Sequence, residues 1–305
     1  MKKIIITILI ALMITPVAFA GDKNFKKIEK QQSMAIKNLE NEVKDAIKMQ
    51  STYTEKYDKE GLLSLYSDKY YNADGFDKTI FADLIDKTWK LYPDIKYKTV
   101  IQKVDIIGQT AIAYVKEYAS ATAVEKVEDN EIKGSLRSES NCIYYLEKAG
   151  NKWLITSDII TNEKTTLSYG EADKIDIKLT VPQVMNAGKE YTATLHVNAN
   201  KPGMVAIASI GQESITYPQI NAEEVFRKLP KDGVLERVFR ANTDNFNEYT
   251  VASIGITRAN VAKDNEIKLM VTGFGYVITR TNIIPQKDFS KVKQNDTKKA
   301  IPKLL

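Results

Sequence analysis

The feature that most constrains this fold is a series of four long β-rich runs between residues 95 and 162. In the second run, Ala111, Ala113 and Val115 alternate with polar residues. Alternation of this kind predicts strands with one buried face and one face in water. The last two runs are joined through Gly150, which tolerates the positive φ of a tight turn. The sequence therefore predicts an antiparallel sheet of four long strands that ends in a β-hairpin.

Three helical segments precede these runs. Residues 24–57 contain neither Gly nor Pro, and their apolar side chains recur every three or four positions, which predicts an amphipathic helix. At 1.5 Å per residue this helix would be about 50 Å long, more than a small domain requires. We therefore expect residues 21–39 to form a helical extension that protrudes or pairs with another chain. Shorter helices are predicted at 61–67 and at 76–92, the latter ended by Pro93.

Three stretches of this region together resemble a known family. They are DKEGLLSLYSDKYYNADG at 58–75, WKLYPDIKYKTVIQKVDIIGQTAIA at 89–113 and YYLEKAGNKWLITSDI at 144–159. In this order they resemble the nuclear transport factor 2-like (SnoaL-like, ketosteroid isomerase-like) family. The resemblance covers residues 40 to 163 and implies an α+β fold in which three helices pack on a bent antiparallel sheet that forms a cone. We place the domain at residues 40–168.

The resemblance also implies where a site would lie. Members of the family hold small apolar ligands inside the curved sheet, and some are isomerases, dehydratases or cyclases. It implies Asp74 as the general base, although Asp-Gly is also an ordinary turn sequence. The side chains expected to contact a ligand in the cone are Tyr53, Tyr57, Trp89 and Tyr144. Isomerase members need a tyrosine and a second acid, and no acid is expected to face the same way as Tyr144, so the catalytic set is expected to be incomplete.

A second domain is predicted at residues 172–284. About seven short β-type runs separated by turn sequences predict an antiparallel β-sandwich. Its opening, PQVMNAGKEYTATL at 182–195, resembles immunoglobulin-like domains of bacterial envelope proteins. One short helix is expected at 221–229, because Asn221 and Glu224 have the spacing of a capping box.

Polar side chains crowd one strand-turn-strand connection of this second domain. The candidates for ligand contact there are Arg237, Arg240, Asn242 and Asn247. Paired arginines and amides suit recognition of a carboxylate or a sugar. The alternative is a hairpin whose asparagines satisfy their own backbone and whose ion pairs are exposed.

Several kinds of chemistry are excluded by composition. Cys142 is the only cysteine and His196 the only histidine, so the chain forms no intrachain disulfide and lacks the usual zinc ligand sets. The sequence has no glycine-rich phosphate loop and no nucleophile elbow. We therefore expect no metal and no cofactor.

The first twenty residues have the pattern of a secretory signal peptide. Lys2 and Lys3 precede an apolar run at 4–13, and Ala18-Phe19-Ala20 supplies an A-x-A cleavage site. Cleavage is expected after Ala20, with no transmembrane segment left afterwards. The expected location is secreted, in the periplasm or at the cell surface of a bacterium.

The basic charge belongs to the ends of the chain. The formal net charge is +5, of which the two signal-peptide lysines contribute two and the segment 285–305 contributes four. The remaining body is therefore close to neutral, and it lacks the aromatic and basic pattern of nucleic-acid binding. Pro285, Pro302 and the lysines of that segment predict a disordered basic tail.

The sequence thus favours an exported, non-catalytic binding or interaction protein of the bacterial cell envelope. Its cone would hold a small apolar ligand or form a homodimer through the sheet, and its partner would be an unknown protein or envelope component. The alternative is a SnoaL-like lyase or isomerase that uses Asp74 as general base.

Overall fold

A computed structural model describes residues 22–127, 130–198, 203–261 and 267–285. The predicted signal peptide with its cleavage site at Ala20 lies outside the described residues, as does the predicted tail from residue 286 onward. None of the described helices is both long and apolar enough to cross a membrane.

The chain begins with three helices, whose bounds are α1 Asp22–Glu55, α2 Lys59–Leu63 and α3 Lys78–Leu91. The two shorter helices begin at aspartate caps. Asp58 accepts a hydrogen bond from the Gly61 backbone amide at 2.8 Å, and Asp77 accepts one from Ile80 at 2.9 Å. Each cap satisfies an amide that the first helical turn leaves without a partner.

Twelve strands follow in the described part of the chain. Those of the first half are β1 Lys96–Ile107, β2 Thr110–Val127, β3 Asn130–Ala149 and β4 Lys152–Gly170. After a short 3₁₀ helix, Glu171–Lys174, come β5 Ile177–Thr180, β6 Val184–Asn186, β7 Glu190–Val197, β8 Met204–Ser214, β9 Arg227–Lys228, β10 Val234–Arg240, β11 Glu248–Val261 and β12 Ile267–Ile284. The three helices and the four-stranded antiparallel sheet predicted for the first half are therefore present.

Only the C-terminal half of α1 contributes to the core. Val43 and Ile47 are fully buried among residues of α2, α3 and the sheet. Residues 27–38 of the helix are exposed, including the large apolar side chains of Ile28, Met34 and Ile36. The core of the first half therefore needs only about three turns of a much longer helix.

Two β-bulges shape β4. Its pairing with β3 shifts register twice, and the extra residues are Thr156 and Thr161. Their hydroxyls donate to carbonyl oxygens of the partner strand, Thr156 to Tyr145 at 3.1 Å and Thr161 to Asn141 at 3.0 Å. Because each extra residue bends the strand and changes which face later side chains occupy, the bulges both curve the sheet and redirect its inner face.

The predicted hairpin between β3 and β4 closes the first core against α1. Gly150 adopts φ 62° at the turn. Trp153, which is 3% exposed, donates from Nε1 to Glu42 of α1 at 3.1 Å. Lys148 binds the same carboxylate at 2.6 Å. The hairpin thus fixes α1 across the sheet.

One sheet connects the two halves of the chain. The C-terminal part of β4 pairs with β12 from Lys164 opposite Thr279 to Gly170 opposite Gly273. The resulting strand order is β1-β2-β3-β4-β12-β11-β8-β9, with β6 beside β12. The sheet therefore continues across the predicted boundary between residues 168 and 172.

A second sheet, with strand order β10-β7-β5, packs on the C-terminal part of the first. The core between them includes Ala193 and Leu195 of β7, Ile254 and Ile256 of β11 and Val277 of β12. Two packed sheets therefore form this half, with β6 parallel to β12, and the immunoglobulin-like β-sandwich stays a prediction.

The helix predicted at 221–229 is wrong. These residues are irregular apart from β9. The Ala222 amide donates to the Glu213 carboxylate at 2.8 Å, and the Val225 amide donates to the Ser209 hydroxyl at 3.0 Å. In the predicted helix the Val225 amide would donate to the Asn221 carbonyl, whereas here a side chain of β8 accepts from it instead.

Candidate functional site

A cavity of about 380 Å³ lies between the helices and the concave face of β1–β4. The cone is therefore not filled by its own side chains. Most of its lining is aromatic or aliphatic, as shown by Leu62, Tyr66, Phe81, Ile85, Trp89 and Tyr97. A largely apolar cavity of this size is in the range that small-molecule ligands occupy, about 300–1,000 Å³.

Three neighbouring strands bring two carboxyl groups and a tyrosine to the same wall. Glu117 lies on β2, Tyr144 on β3 and Asp158 on β4, and all three line the cavity. Tyr144 and Asp158 are directly opposite each other in the β3–β4 ladder. The Tyr144 hydroxyl donates to Glu117 Oε1, and Cys142 Sγ lies 3.5 Å from Glu117 Oε2 as its second donor. Tyr144 therefore lies between two acids.

The segment after α2 brings a second tyrosine to Asp158. It follows the free edge of β4, since the amides of Ser67 and Ala73 donate to the carbonyls of Ile155 at 2.8 Å and Asp158 at 2.9 Å. This path places the Tyr70 hydroxyl 2.6 Å from Asp158 Oδ2, to which it donates. No described residue forms a hydrogen bond with the other oxygen, Oδ1, which leaves it for a ligand.

Burial changes the protonation of this wall. Loss of solvent, together with the negative charge of Glu117, raises the pKa of Asp158 to about 6. Burial also raises the pKa of Glu117, against the hydrogen bonds it accepts. The pKa values of Tyr144 and Cys142 are raised by burial and then by the nearby carboxylate, so both groups keep their protons. Asp158 can therefore gain or lose a proton near neutral pH.

On the helical side, Gln50 of α1 and Tyr66 form a buried pair. Gln50 Nε2 donates to the Tyr66 hydroxyl at 2.7 Å. Gln50 is 6% exposed, and its Oε1 is buried without a hydrogen-bond partner in the described part of the chain. Burial raises the pKa of Tyr66 well above its usual range, so its hydroxyl keeps its proton. Both side chains line the cavity.

Asp74 lines the cavity, but its carboxylate is already paired. Arg280 of β12, fully buried, donates to Asp74 Oδ1 at 2.6 Å and to Oδ2 at 2.9 Å. Asn247 also donates to Oδ1, at 2.8 Å. Bidentate charge-assisted hydrogen bonds stabilise the ionised carboxylate and occupy the oxygens that a base would use. This arrangement disfavours Asp74 as general base and makes it an anchor between the two halves.

The four aromatic residues predicted to contact a ligand fall into two groups. Trp89 and Tyr144 line the cavity. Tyr53 packs against the first core, outside the lining. Tyr57 is 40% exposed and donates to the Pro93 carbonyl at 2.6 Å, with its ring against Trp89. Tyr57 thus supports the cavity wall from outside.

The predicted polar cluster of the second half does not form one site; its members are Arg237, Arg240, Asn242 and Asn247. Arg240 forms an exposed ion pair with Glu190 at 2.7 Å. Asn242 hydrogen-bonds the buried Glu248 through its side-chain amide at 2.7 Å, and its Oδ1 accepts backbone amides of the turn. Arg237 donates to a backbone carbonyl of β8. Each of the three side chains thus has a separate partner within the protein.

The expectation that no acid faces the same way as Tyr144 is wrong. Glu117 has the same parity as Ala113 and Val115, so the alternation already placed it on the inner face. Asp158 was not accessible to this reasoning, because the bulge at Thr156 shifts the parity of β4. Gln50, Tyr66 and Tyr70 were also missed as site residues. Within the described residues, no group of three or more His, Cys, Asp or Glu side chains is placed to hold a metal ion.

No protein-family model and no curated protein matches the sequence. Among solved structures, a conserved protein from Planctomyces limnophilus DSM 3776 is 14% identical, with 39% of this chain and 91% of that chain covered and a TM-score of 0.33. A hexachlorocyclohexane dehydrochlorinase (LinA) type 2 is 13% identical, with coverage of 44% and 88% and a TM-score of 0.32. A ketosteroid isomerase-like protein from Erwinia carotovora atroseptica SCRI1043 is 12% identical, with coverage of 39% and 91% and a TM-score of 0.28. At these values the likeness carries no inference about activity.

Proposed function

We propose that this protein is an isomerase or lyase that transfers a proton on a small, largely apolar molecule held in the cavity. This is the enzymatic alternative of the sequence analysis, with Asp158 in place of Asp74 as general base. The observation that supports it best is the wall of the cavity, where Asp158 and Glu117 lie on either side of Tyr144.

Asp158 has the properties of a general base. Its Oδ2 is held by Tyr70, while Oδ1 has no hydrogen-bond partner among the described residues. A pKa of about 6 keeps the carboxylate ionised at neutral pH and gives it more basicity than a solvated aspartate. A proton on a substrate carbon next to a carbonyl would move to Oδ1.

Tyr66 is suited to stabilise the charge that develops on the substrate oxygen. Its hydroxyl accepts from Gln50, which leaves its own proton free to donate, and it stays protonated. A positioned O–H donor in a site that excludes water stabilises an enolate in the way an oxyanion hole does. Asp158, protonated after this step, would itself deliver the proton from Oδ1 to a second carbon in an isomerisation, or to the leaving group in an elimination, and so return to its ionised form.

Deuterium exchange tests the proposal without knowledge of the natural substrate. The protein is incubated in D₂O with small cyclic ketones, some neutral and some carrying an amine, and loss of the proton next to the carbonyl is followed by NMR. Asp158→Asn should lower the exchange rate by about 100-fold or more, since positioned bases contribute roughly 10²–10⁴ in rate. Asp68→Asn is the control, because the Asp68 side chain is 99% exposed. Exchange no faster with the wild type than with Asp158→Asn contradicts the proposal.

The exchange rate should also depend on pH in a defined direction. The base must be ionised, and the pKa of Asp158 is raised to about 6 by burial and then by Glu117 and Asp74. The wild-type rate is therefore expected to rise as pH increases through about 6 and to level off above it. A profile with its midpoint near the ordinary aspartate value of about 3.9 would show that another group is the base.

We also propose that the chain is exported to the bacterial envelope, on the strength of the lysines, apolar run and A-x-A site at its N-terminus. The test is to express the full chain in a bacterium, in parallel with a double variant that carries Ala18→Leu and Ala20→Leu. The mass of the periplasmic protein should place its N-terminus at Gly21, and the variant should accumulate unprocessed. Recovery of uncleaved wild-type protein in the cytosol contradicts export.

A further inference from the structure

The wall of the cavity carries two carboxyl groups whose described hydrogen-bond donors are all uncharged. The carboxyl groups of Glu117 and Asp158 receive hydrogen bonds from neutral tyrosine hydroxyls. None of the described lining residues is Lys, Arg or His. Arg280 is absent from the lining, and its guanidinium is bound bidentately to Asp74. Neither carboxyl group therefore has an ion-pair partner among the described residues.

A second and independent observation concerns Gln50. Its amide nitrogen is used by Tyr66, whereas its Oε1 is buried without a partner in the described part of the chain. Buried acceptors are almost always hydrogen-bonded in folded proteins, by protein, water or ligand. Since Gln50 lines the cavity, a ligand that brings an N–H donor would satisfy it.

The aromatic part of the wall points to the same chemistry. Tyr66, Tyr70, Phe81, Trp89 and Tyr144 surround the space that these acceptors border. The face of an aromatic ring attracts a cation, most strongly in tryptophan, and the attraction increases when water is excluded. An anionic ligand, by contrast, would meet two carboxyl groups and no positive side chain.

We infer that the ligand of this cavity is a small organic cation, a protonated amine on a compact apolar body. Its N–H groups would donate to Gln50 Oε1 and to the Glu117 carboxylate, the charge of the Asp158 carboxylate would favour the cation from a longer distance, and the body of the ligand would pack against the aromatic rings. The inference names the substrate class of the proposed proton-transfer site and rests on that proposal for the role of Asp158 in turnover.

Three probes with one ring separate charge from shape: benzylamine, which is protonated near neutral pH, benzyl alcohol and benzoate. Binding to the full mature protein is measured by isothermal titration calorimetry at low ionic strength. Benzylamine is expected to bind about ten-fold more tightly than benzyl alcohol, and benzoate not to bind measurably. Glu117→Gln and Asp158→Asn should each reduce this preference several-fold. Glu139→Gln, an exposed acid on the same strand as Tyr144 that pairs with Lys116, should leave it unchanged.

Benzyl alcohol binding as tightly as benzylamine, no measurable binding of benzylamine, or a preference that persists in both acid variants would each overturn the inference. The two proposals fail separately. Preference for the cation without proton exchange on any ketone removes the proposed enzymatic function and leaves the inference standing. Exchange on neutral ketones without a preference for the cation would support the enzymatic function and overturn the inference about the cation.

Discussion

Asp158 illustrates, at the level of one residue, how burial of the proposed general base lowers stability. Its pKa is about 6 in the folded protein and about 3.9 in the unfolded chain, because burial disfavours the charged form. The free energy of unfolding therefore falls as pH rises from about 4 to above 6, because the carboxylate ionises more readily in the unfolded chain than in the folded protein. A shift of this size corresponds to at most about 3 kcal/mol.

Asp158→Asn should therefore be more stable than the wild type at pH 8, by about 1–3 kcal/mol, because the amide removes the buried charge and still accepts from Tyr70. The difference should shrink toward zero as pH falls below about 4, where wild-type Asp158 is neutral in both states. Urea unfolding of the two proteins across this range measures it. A difference in unfolding free energy that does not depend on pH, or a variant that is less stable at pH 8, would show that the ionised Asp158 carboxylate does not destabilise the native state.

Glu117 and Asp158 also show which site residues a sequence can reveal. Glu117 continues the alternation of β2, so the sequence alone indicates that its side chain faces inward. Asp158 lies two residues beyond the bulged Thr156, and strict alternation from the buried Trp153 and Ile155 places it on the wrong face. A bulge depends on pairing with β3, which the local sequence of β4 does not specify. The hydrophobic pattern therefore predicted the sheet but only part of its inner face.

At the level of elements, β4 connects the cone to the second half of the chain. Its N-terminal part carries Asp158, and its C-terminal part pairs with β12. The strand ends at Gly170, with φ 59°, where a Cβ atom would collide with the carbonyl oxygen of Thr272. Gly150 also has a positive φ, 62°, but nothing lies within 4 Å of the position of its Cβ.

Alanine substitutions compare a glycine that only serves a turn, Gly150, with one that is also packed at the β4–β12 junction, Gly170. Gly150→Ala should cost about 1–2 kcal/mol, the price of a left-handed residue with a side chain. Gly170→Ala should cost about 1–3 kcal/mol more, because φ 59° with ψ −126° is a conformation that favours glycine and because β12 must also move. Thermal unfolding followed by circular dichroism measures both. Equal losses of stability in the two variants would mean that the β4–β12 junction accommodates a Cβ atom at residue 170, contrary to the predicted collision with Thr272.

At the level of the whole molecule, the second half completes the site of the first. Tyr249 of β11 lines the cavity and donates to Glu163 of β4 at 2.9 Å. Arg280 of β12 holds Asp74 in the cavity wall. The sequence predicted two domains because the pattern of strands changes after residue 170. It gave no sign of an ion pair between residues 206 positions apart, since that contact depends on how the two halves pack.

Arg280→Met tests whether the two halves unfold as one unit. The change leaves Asp74 as a buried charge without its partner, which typically costs about 3–5 kcal/mol. Arg240→Met is the matched control, because Arg240 pairs with Glu190 on the surface and should contribute less than about 1 kcal/mol. Trp89 and Trp153, the only tryptophans, both lie in the first half and report its unfolding by fluorescence in urea. We expect these tryptophans to report a lower urea midpoint in Arg280→Met. Because the substituted arginine lies in the other half, this result would show that the two halves unfold together. If fluorescence shows no larger loss than for Arg240→Met, the halves are independent and the cavity does not need β12.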